Sequence, residues 1–214
     1  MHIEILVEDS SGEQLLSVLL PKILGLKGEP HTWRTHAYKG IGRIPLGLRT
    51  TADPSKRILL EQLPRVLRGY GNTPGIDAVV IILDSDRRDC KAFLKELKKI
   101  AKECGQSSNI MFRLAIEEME AWYLGDRRAL EAAYPRAKRN VLSRYVQDSV
   151  CETWELLADA VHPGGSLAIK KAGWPLPGQI KHEWAKAIGP LMSPDGNTSP
   201  SFGKFRSGLL RLIG

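Results

Sequence analysis

The sequence predicts an α/β protein: a mostly parallel sheet flanked by helices, followed by a helical C-terminal appendage. Three observations carry that expectation. The run Ala78-Val79-Val80-Ile81-Ile82-Leu83 is unbroken aliphatic, the mark of a strand covered on both faces, as in a parallel sheet. Apolar runs alternate with amphipathic stretches through the first half, as expected of strands separated by helices. After Asp126 the strand signals fade and proline-broken helical stretches take over. The division expected is an α/β core over residues 1–126 and a helical extension over 127–214 packed on it.

The elements follow in order. Ile3-Glu4-Ile5-Leu6-Val7 is a short apolar strand that closes at the acidic turn Glu8-Asp9. Ser10 and Glu13 have the spacing of a capping box, and Leu15, Leu16, Leu19 and Leu20 continue at helical spacing to near Leu24. Thr32 to Tyr38 is a second strand, leading into the basic loop Lys39-Gly40-Ile41-Gly42-Arg43. A helix is expected from Asp53-Pro54, with Ile58, Leu59, Leu63, Val66 and Leu67 on its apolar side, ending before the turn residues Gly69 to Asn72. The aliphatic strand comes next, then a helix from Arg88 to Cys104. That helix turns Phe93, Leu94, Leu97, Ile100 and Ala101 inward and Lys95, Lys98, Lys99 and Lys102 outward. Asn109 to Ile116 reads as a fourth strand. Beyond Asp126, prolines at 135, 163, 175, 177 and 190 break the helices. Met192 to Asn197 reads as an exposed loop, and Phe202 to Ile213 as a last helix.

The composition narrows the classes. The chain has 214 residues, 43% hydrophobic and 26% charged, which excludes disordered, collagen-like and coiled-coil chains. No apolar run approaches the roughly 20 residues of a membrane-spanning helix, and MHIEILVED lacks the form of a secretory signal. Lys and Arg exceed the acids for a net charge of +7, an electrostatic prior for a polyanion. Cys90, Cys104 and Cys151 are odd in number without CxxC spacing, which fits a reducing cytoplasm rather than a disulfide framework.

The chemistry is expected where acids end the strands. Glu8 ends the first, and Asp84-Ser85-Asp86 ends the central one. In an extended segment residues i and i+2 project to one side, so Asp84 and Asp86 converge. If the two strands are neighbours, Glu8 joins them. Three crowded carboxylates repel unless a cation sits between them, and hard oxygen ligands suit Mg²⁺ or Mn²⁺. The bland alternative is helix capping by Asp86 or Asp89. A further acidic group, Glu117-Glu118-Met119-Glu120, follows the fourth strand. Any of its glutamates could reach the site or simply favour a helix start; Glu120 is the first choice, with Glu117 on the same helical face.

Together V-E-D-S-S-G-E (Val7 to Glu13), D-S-D-R (Asp84 to Arg87), I-E-E-M-E-A-W-Y-L-G-D (Ile116 to Asp126) and S-P-S-F-G-K-F-R (Ser199 to Arg206) resemble a Toprim domain. The nearer resemblance is to the Toprim-like family known as domain of unknown function 4276, and it spans nearly the whole chain. It implies a Toprim-like (Rossmann-like) fold in which the carboxylates hold divalent metal for phosphodiester chemistry. By position Glu8 matches the Toprim glutamate, Asp84 and Asp86 the D-x-D pair, and Glu120 the acid before the tryptophan. One departure stands out: Toprim glutamates are followed by glycine, whereas here Asp9 follows, itself a possible ligand, and the glycine comes at Gly12.

The function expected is therefore a metal-dependent Toprim-type nuclease, with Glu8, Asp84, Asp86 and Glu120 catalytic and Glu117 a further candidate metal ligand. Lys39, Arg43, Lys204 and Arg206 are candidate contacts to nucleic acid, DNA more than RNA, and Arg49 flanks the same glycine-bearing loop. The resemblance also implies defence against mobile DNA beside a separate ATPase subunit. Oligomers are compatible with the sequence. The alternative is a non-catalytic Toprim-like module that binds nucleic acid or docks on an ATPase. No zinc-binding histidine spacing, P-loop or G-x-S-x-G elbow is present. The five tryptophans read as packing residues.

Overall fold

A computed structural model describes residues 1–48, 53–105, 109–149 and 152–214. Four strands, β1 (His2–Val7), β2 (Thr32–Ala37), β3 (Ala78–Asp84) and β4 (Ile110–Ala115), form one all-parallel sheet in the order β2-β1-β3-β4. Between them run α1 (Ser10–Leu24), α2 (Leu59–Gly71) and α3 (Cys90–Glu103). Helices α4 (Glu120–Leu124), α5 (Arg127–Ala133), α6 (Arg139–Leu142), α7 (Thr153–Val161), α8 (Gly165–Ala172), α9 (Leu176–Ile188) and α10 (Pro200–Ile213) complete the chain. The α/β class and the parallel flanked sheet are those the sequence predicts.

The alternation of strand residues separates two apolar layers. Ile3, Ile5, Val7, Val80 and Ile82 face α1 and most of the later helices, in a cluster that reaches Leu157, Trp184, Phe202 and Leu209. Leu6, Val79, Ile81 and Leu83 face α2 and α3. Within the larger layer α1 packs on α9 and α10, and α10 lies against β4. Trp122 stacks on Phe205 with ring centroids 5.0 Å apart and meets Phe202 edge-on. Its indole N–H donates to Ser201 Oγ at 3.1 Å.

Local chemistry shifts several boundaries. Asp9, not Ser10, caps α1: its Oδ1 accepts the Gly12 N–H at 2.7 Å and the Ser11 hydroxyl at 2.8 Å. Asp53-Pro54 opens only a single 3-10 turn, and α2 begins at Leu59, where the Leu59 and Leu60 N–H groups bond to Gly40 and Ile41 carbonyls. Asp89, the second of the proposed caps, holds the start of α3 through the Ala92 N–H at 2.6 Å. Trp33, Trp122 and Trp184 are buried as expected, but Trp174 is 87% exposed, a correction: it sits between α8 and α9 rather than on an inward helix face. Cys104 is buried and Cys90 half-buried; Cys151 lies outside the described residues. Among the described residues no helix is long and apolar enough to cross a membrane.

Candidate functional site

The sheet order places β1 beside β3, and the chain direction of travel across the sheet reverses between them. In an open α/β sheet the crevice beyond the strand C-termini at such a switch point is where ligands bind. The register Val7↔Ile82 continues to set Glu8, the residue after β1, opposite Leu83, one position before Asp84, the last residue of β3. The Asp84 backbone N–H donates to the Glu8 carboxylate. Gly12 lets α1 start tightly here, since a Cβ would stand 2.6 Å from Val7 Cγ2 and 2.8 Å from Met119 Sδ.

The carboxylates at this rim crowd one another. Burial lifts Glu8 to about 7, with repulsion from Asp86 and Asp9 adding to it. Its Oε2 is buried without a hydrogen-bond partner. Burial also pushes Asp84 well above the usual carboxylate range, and the charge of Glu8 pushes it further. Glu120, buried at the first turn of α4, is raised by burial. Glu118 reaches about 8 through burial and then Glu120. Removal from water disfavours the charged form, and like charges disfavour it again.

Lys181 of α9 enters this group. Its Nζ lies 3.2 Å from Glu118 Oε1 and 3.3 Å from Glu120 Oε2, with the side chain 17% exposed. Burial works against its charge, but Glu120, Glu118, Asp84 and Asp9 outweigh it and hold the ammonium protonated well above the usual lysine range. Lys181 is not among the site residues expected from the sequence. The missed signal is periodic: Lys181 precedes Trp184, Ala185 and Ile188 by three, four and seven residues, on the buried face of α9.

Other expected residues are placed differently. The strand ends at Asp84, and Asp86 takes left-handed backbone (φ 46°) with its N–H on the Glu117 carbonyl. The i, i+2 argument for Asp84 and Asp86 therefore does not apply. The Asp86 carboxylate is exposed and pairs with Arg88 at 2.8 Å, yet it stays close enough to raise Glu8. Glu117, 6% exposed, accepts the N–H groups of Glu152 and Thr153 at 2.9 and 2.8 Å and the Thr153 hydroxyl. These donors tie it to the start of α7. Asp9 is engaged as the cap of α1.

Lys39 and Arg43 are exposed on the loop after β2, whose Gly40 N–H donates to the Glu8 carbonyl at 3.0 Å. That loop therefore starts at the acidic rim. Lys204 is exposed on α10, while Arg206 pairs with Asp195. Arg49 lies outside the described residues.

The donor chemistry fits a hard divalent cation: several carboxylates raised by burial and then by one another's charge, and one buried oxygen without a partner. No three acidic, histidine or cysteine side chains among the described residues already stand in a ligand arrangement, and Lys181 balances Glu118 and Glu120. The fit therefore rests on Glu8 and Asp84.

Fold and rim together define an α/β protein whose polar residues gather at the switch point of a parallel sheet. The family model described as Domain of unknown function (DUF4276) matches residues 7–210, and the chain belongs to that family. No curated protein and no solved structure gives a significant match.

Proposed function

We propose that the protein is a Mg²⁺- or Mn²⁺-dependent phosphodiesterase of the Toprim type that hydrolyses nucleic acid, DNA in preference to RNA. The observation that carries this reading is the pairing of Glu8 with Asp84 at the switch point, both raised in proton affinity, with Glu8 Oε2 unpartnered. Glu8 and Asp84 would hold the cation, with Asp86 at the rim and Glu120 behind. The chemistry a divalent cation supplies in such a setting is activation of water for attack and neutralisation of charge at the leaving oxygen. Lys181 keeps a fixed positive charge beside these acids and would counter the charge a phosphodiester gains during attack. The surplus of +7 would gather the polyanion.

The test is Mn²⁺ binding by calorimetry together with cleavage of labelled DNA and RNA. Asp84→Asn and Glu8→Gln should each abolish saturable Mn²⁺ binding and lower cleavage at least hundredfold. Unchanged cleavage by the double variant would reject the reading.

A second reading is a non-catalytic Toprim-like module that binds nucleic acid or docks on a separate ATPase subunit. It is favoured by Lys181, which already neutralises two of the acids without any metal. Mn²⁺ titration separates the two, since a self-neutralised cluster takes up no ion at micromolar concentration.

A further inference from the structure

A cavity of about 530 Å³ lies on the outer flank of the sheet, between the edge strand β2 and α2. His36, Tyr38, Arg57, Gln62, Arg65 and Tyr70 line it. Arg57 is anchored by a hydrogen bond from its guanidinium to the Ala37 carbonyl. Arg65 Nε donates to Oε1 of the buried Gln62 at 3.1 Å. Burial raises the Tyr38 phenol, while the positive charges of Arg57 and Arg65, both within electrostatic range, lower it.

Neither arginine has a carboxylate at ion-pair distance among the described residues. The acid beneath, Glu4, is already engaged: His36 Nε2 lies 2.5 Å from its Oε2, and His2 Nε2 lies 3.1 Å from its Oε1. Two planar five-donor cations and a phenol thus line one cavity, neither cation ion-paired among the described residues, while the one carboxylate bordering it, Glu4, is taken up by His36, His2 and Tyr70. That is the donor set that recognises a phosphate ester. The volume falls in the range of ligand pockets, roughly 300–1,000 Å³, and the tyrosine rings offer faces on which a base can stack. Ala37, which anchors Arg57, is the register partner of Val7, one residue before Glu8. The cavity is therefore one strand away from the acidic rim.

We infer that this cavity binds a nucleotide unit through its phosphate, held between Arg57 and Arg65 with Tyr38 beside them. The unit comes either from a free mononucleotide or from a strand. In the second case the inference rests on the proposed function, because that strand would run past Glu8.

The experiment uses the full chain in EDTA, with a deoxymononucleotide followed by calorimetry and a labelled single-stranded oligonucleotide followed by anisotropy. Arg57→Gln and Arg65→Gln should each weaken binding at least tenfold, with unchanged melting. Arg68→Gln, on the same helix but outside the cavity lining, should not. Binding of the mononucleotide alone assigns a free ligand; displacement of the oligonucleotide by the mononucleotide, or binding of the oligonucleotide alone, assigns a strand. Binding of neither probe, or binding indifferent to both arginines, overturns the inference. Because binding is read without metal, binding through Arg57 and Arg65 by a protein that cuts no nucleic acid when Mn²⁺ is added would sink the phosphodiesterase and leave the cavity's assignment standing.

Discussion

Glu117 and Glu8 are both glutamates that follow a strand of the same sheet, yet their surroundings differ completely. Glu117 accepts three hydrogen bonds from the first residues of α7 and its approach. Glu8 keeps one buried oxygen without a donor and faces Asp84, Asp86 and Asp9. The difference teaches that donors, not acidity, decide which carboxylate is free for a ligand. Glu117 builds structure, whereas Glu8 and Asp84 hold charge that something else must balance.

Breaking this contrast should have graded effects. The largest is expected from Lys181→Met, which leaves Glu118 and Glu120 uncompensated. Loss of one partner from a buried ion pair costs about 3–5 kcal/mol. Denaturant melts should show the loss at pH 8 and a smaller one at pH 5, where the carboxylates can take up protons. An equal loss at both would mean that the lysine acts through packing alone. Next comes Glu117→Ala, with a cost on the order of 3 kcal/mol from orphaned donors at α7 and little change in Mn²⁺ affinity. Loss of Mn²⁺ binding there would return Glu117 to the site.

The pH dependence sharpens the other side of the comparison. Glu8 at about 7 and Glu118 at about 8 bind protons more tightly in the folded chain than at their ordinary value of 4.5. Between about pH 4.5 and 8 the folded state therefore holds more protons than the unfolded one, and stability falls as pH rises. A decline of about 3–7 kcal/mol is expected in EDTA between pH 5 and 8, reduced by added Mn²⁺. A rise over that interval would contradict the crowding. Asp84→Asn should raise the stability of the metal-free protein at pH 8 by about 1–2 kcal/mol. Least affected should be Arg206→Ala, whose surface pair with Asp195 is worth under about 1 kcal/mol.

The sheet was legible because its residues declare themselves. The aliphatic run at 78–83 can satisfy its backbone only in a covered strand, and the acids at positions 8 and 84 mark strand ends by their abrupt polarity. Their neighbourhood was legible only conditionally, since strand order depends on contacts far apart in sequence. Asp86 escaped because the strand stops two residues earlier, at a turn that period-two reasoning does not see. Glu117 escaped because its donors come from residues 152 and 153, and no local pattern links them. Lys181 left a trace, a charge on the apolar stripe of α9, but its partners are some sixty residues away.

That separation has a consequence for biosynthesis. The acids of the rim all emerge from the ribosome within the first 120 residues, while their balancing ammonium is still untranslated. A nascent chain halted before α9 would carry a rim of mutually repelling carboxylates, held together only by protons or by ions from the surrounding fluid. The rim thus reaches its final electrostatic state only after α9 has been made.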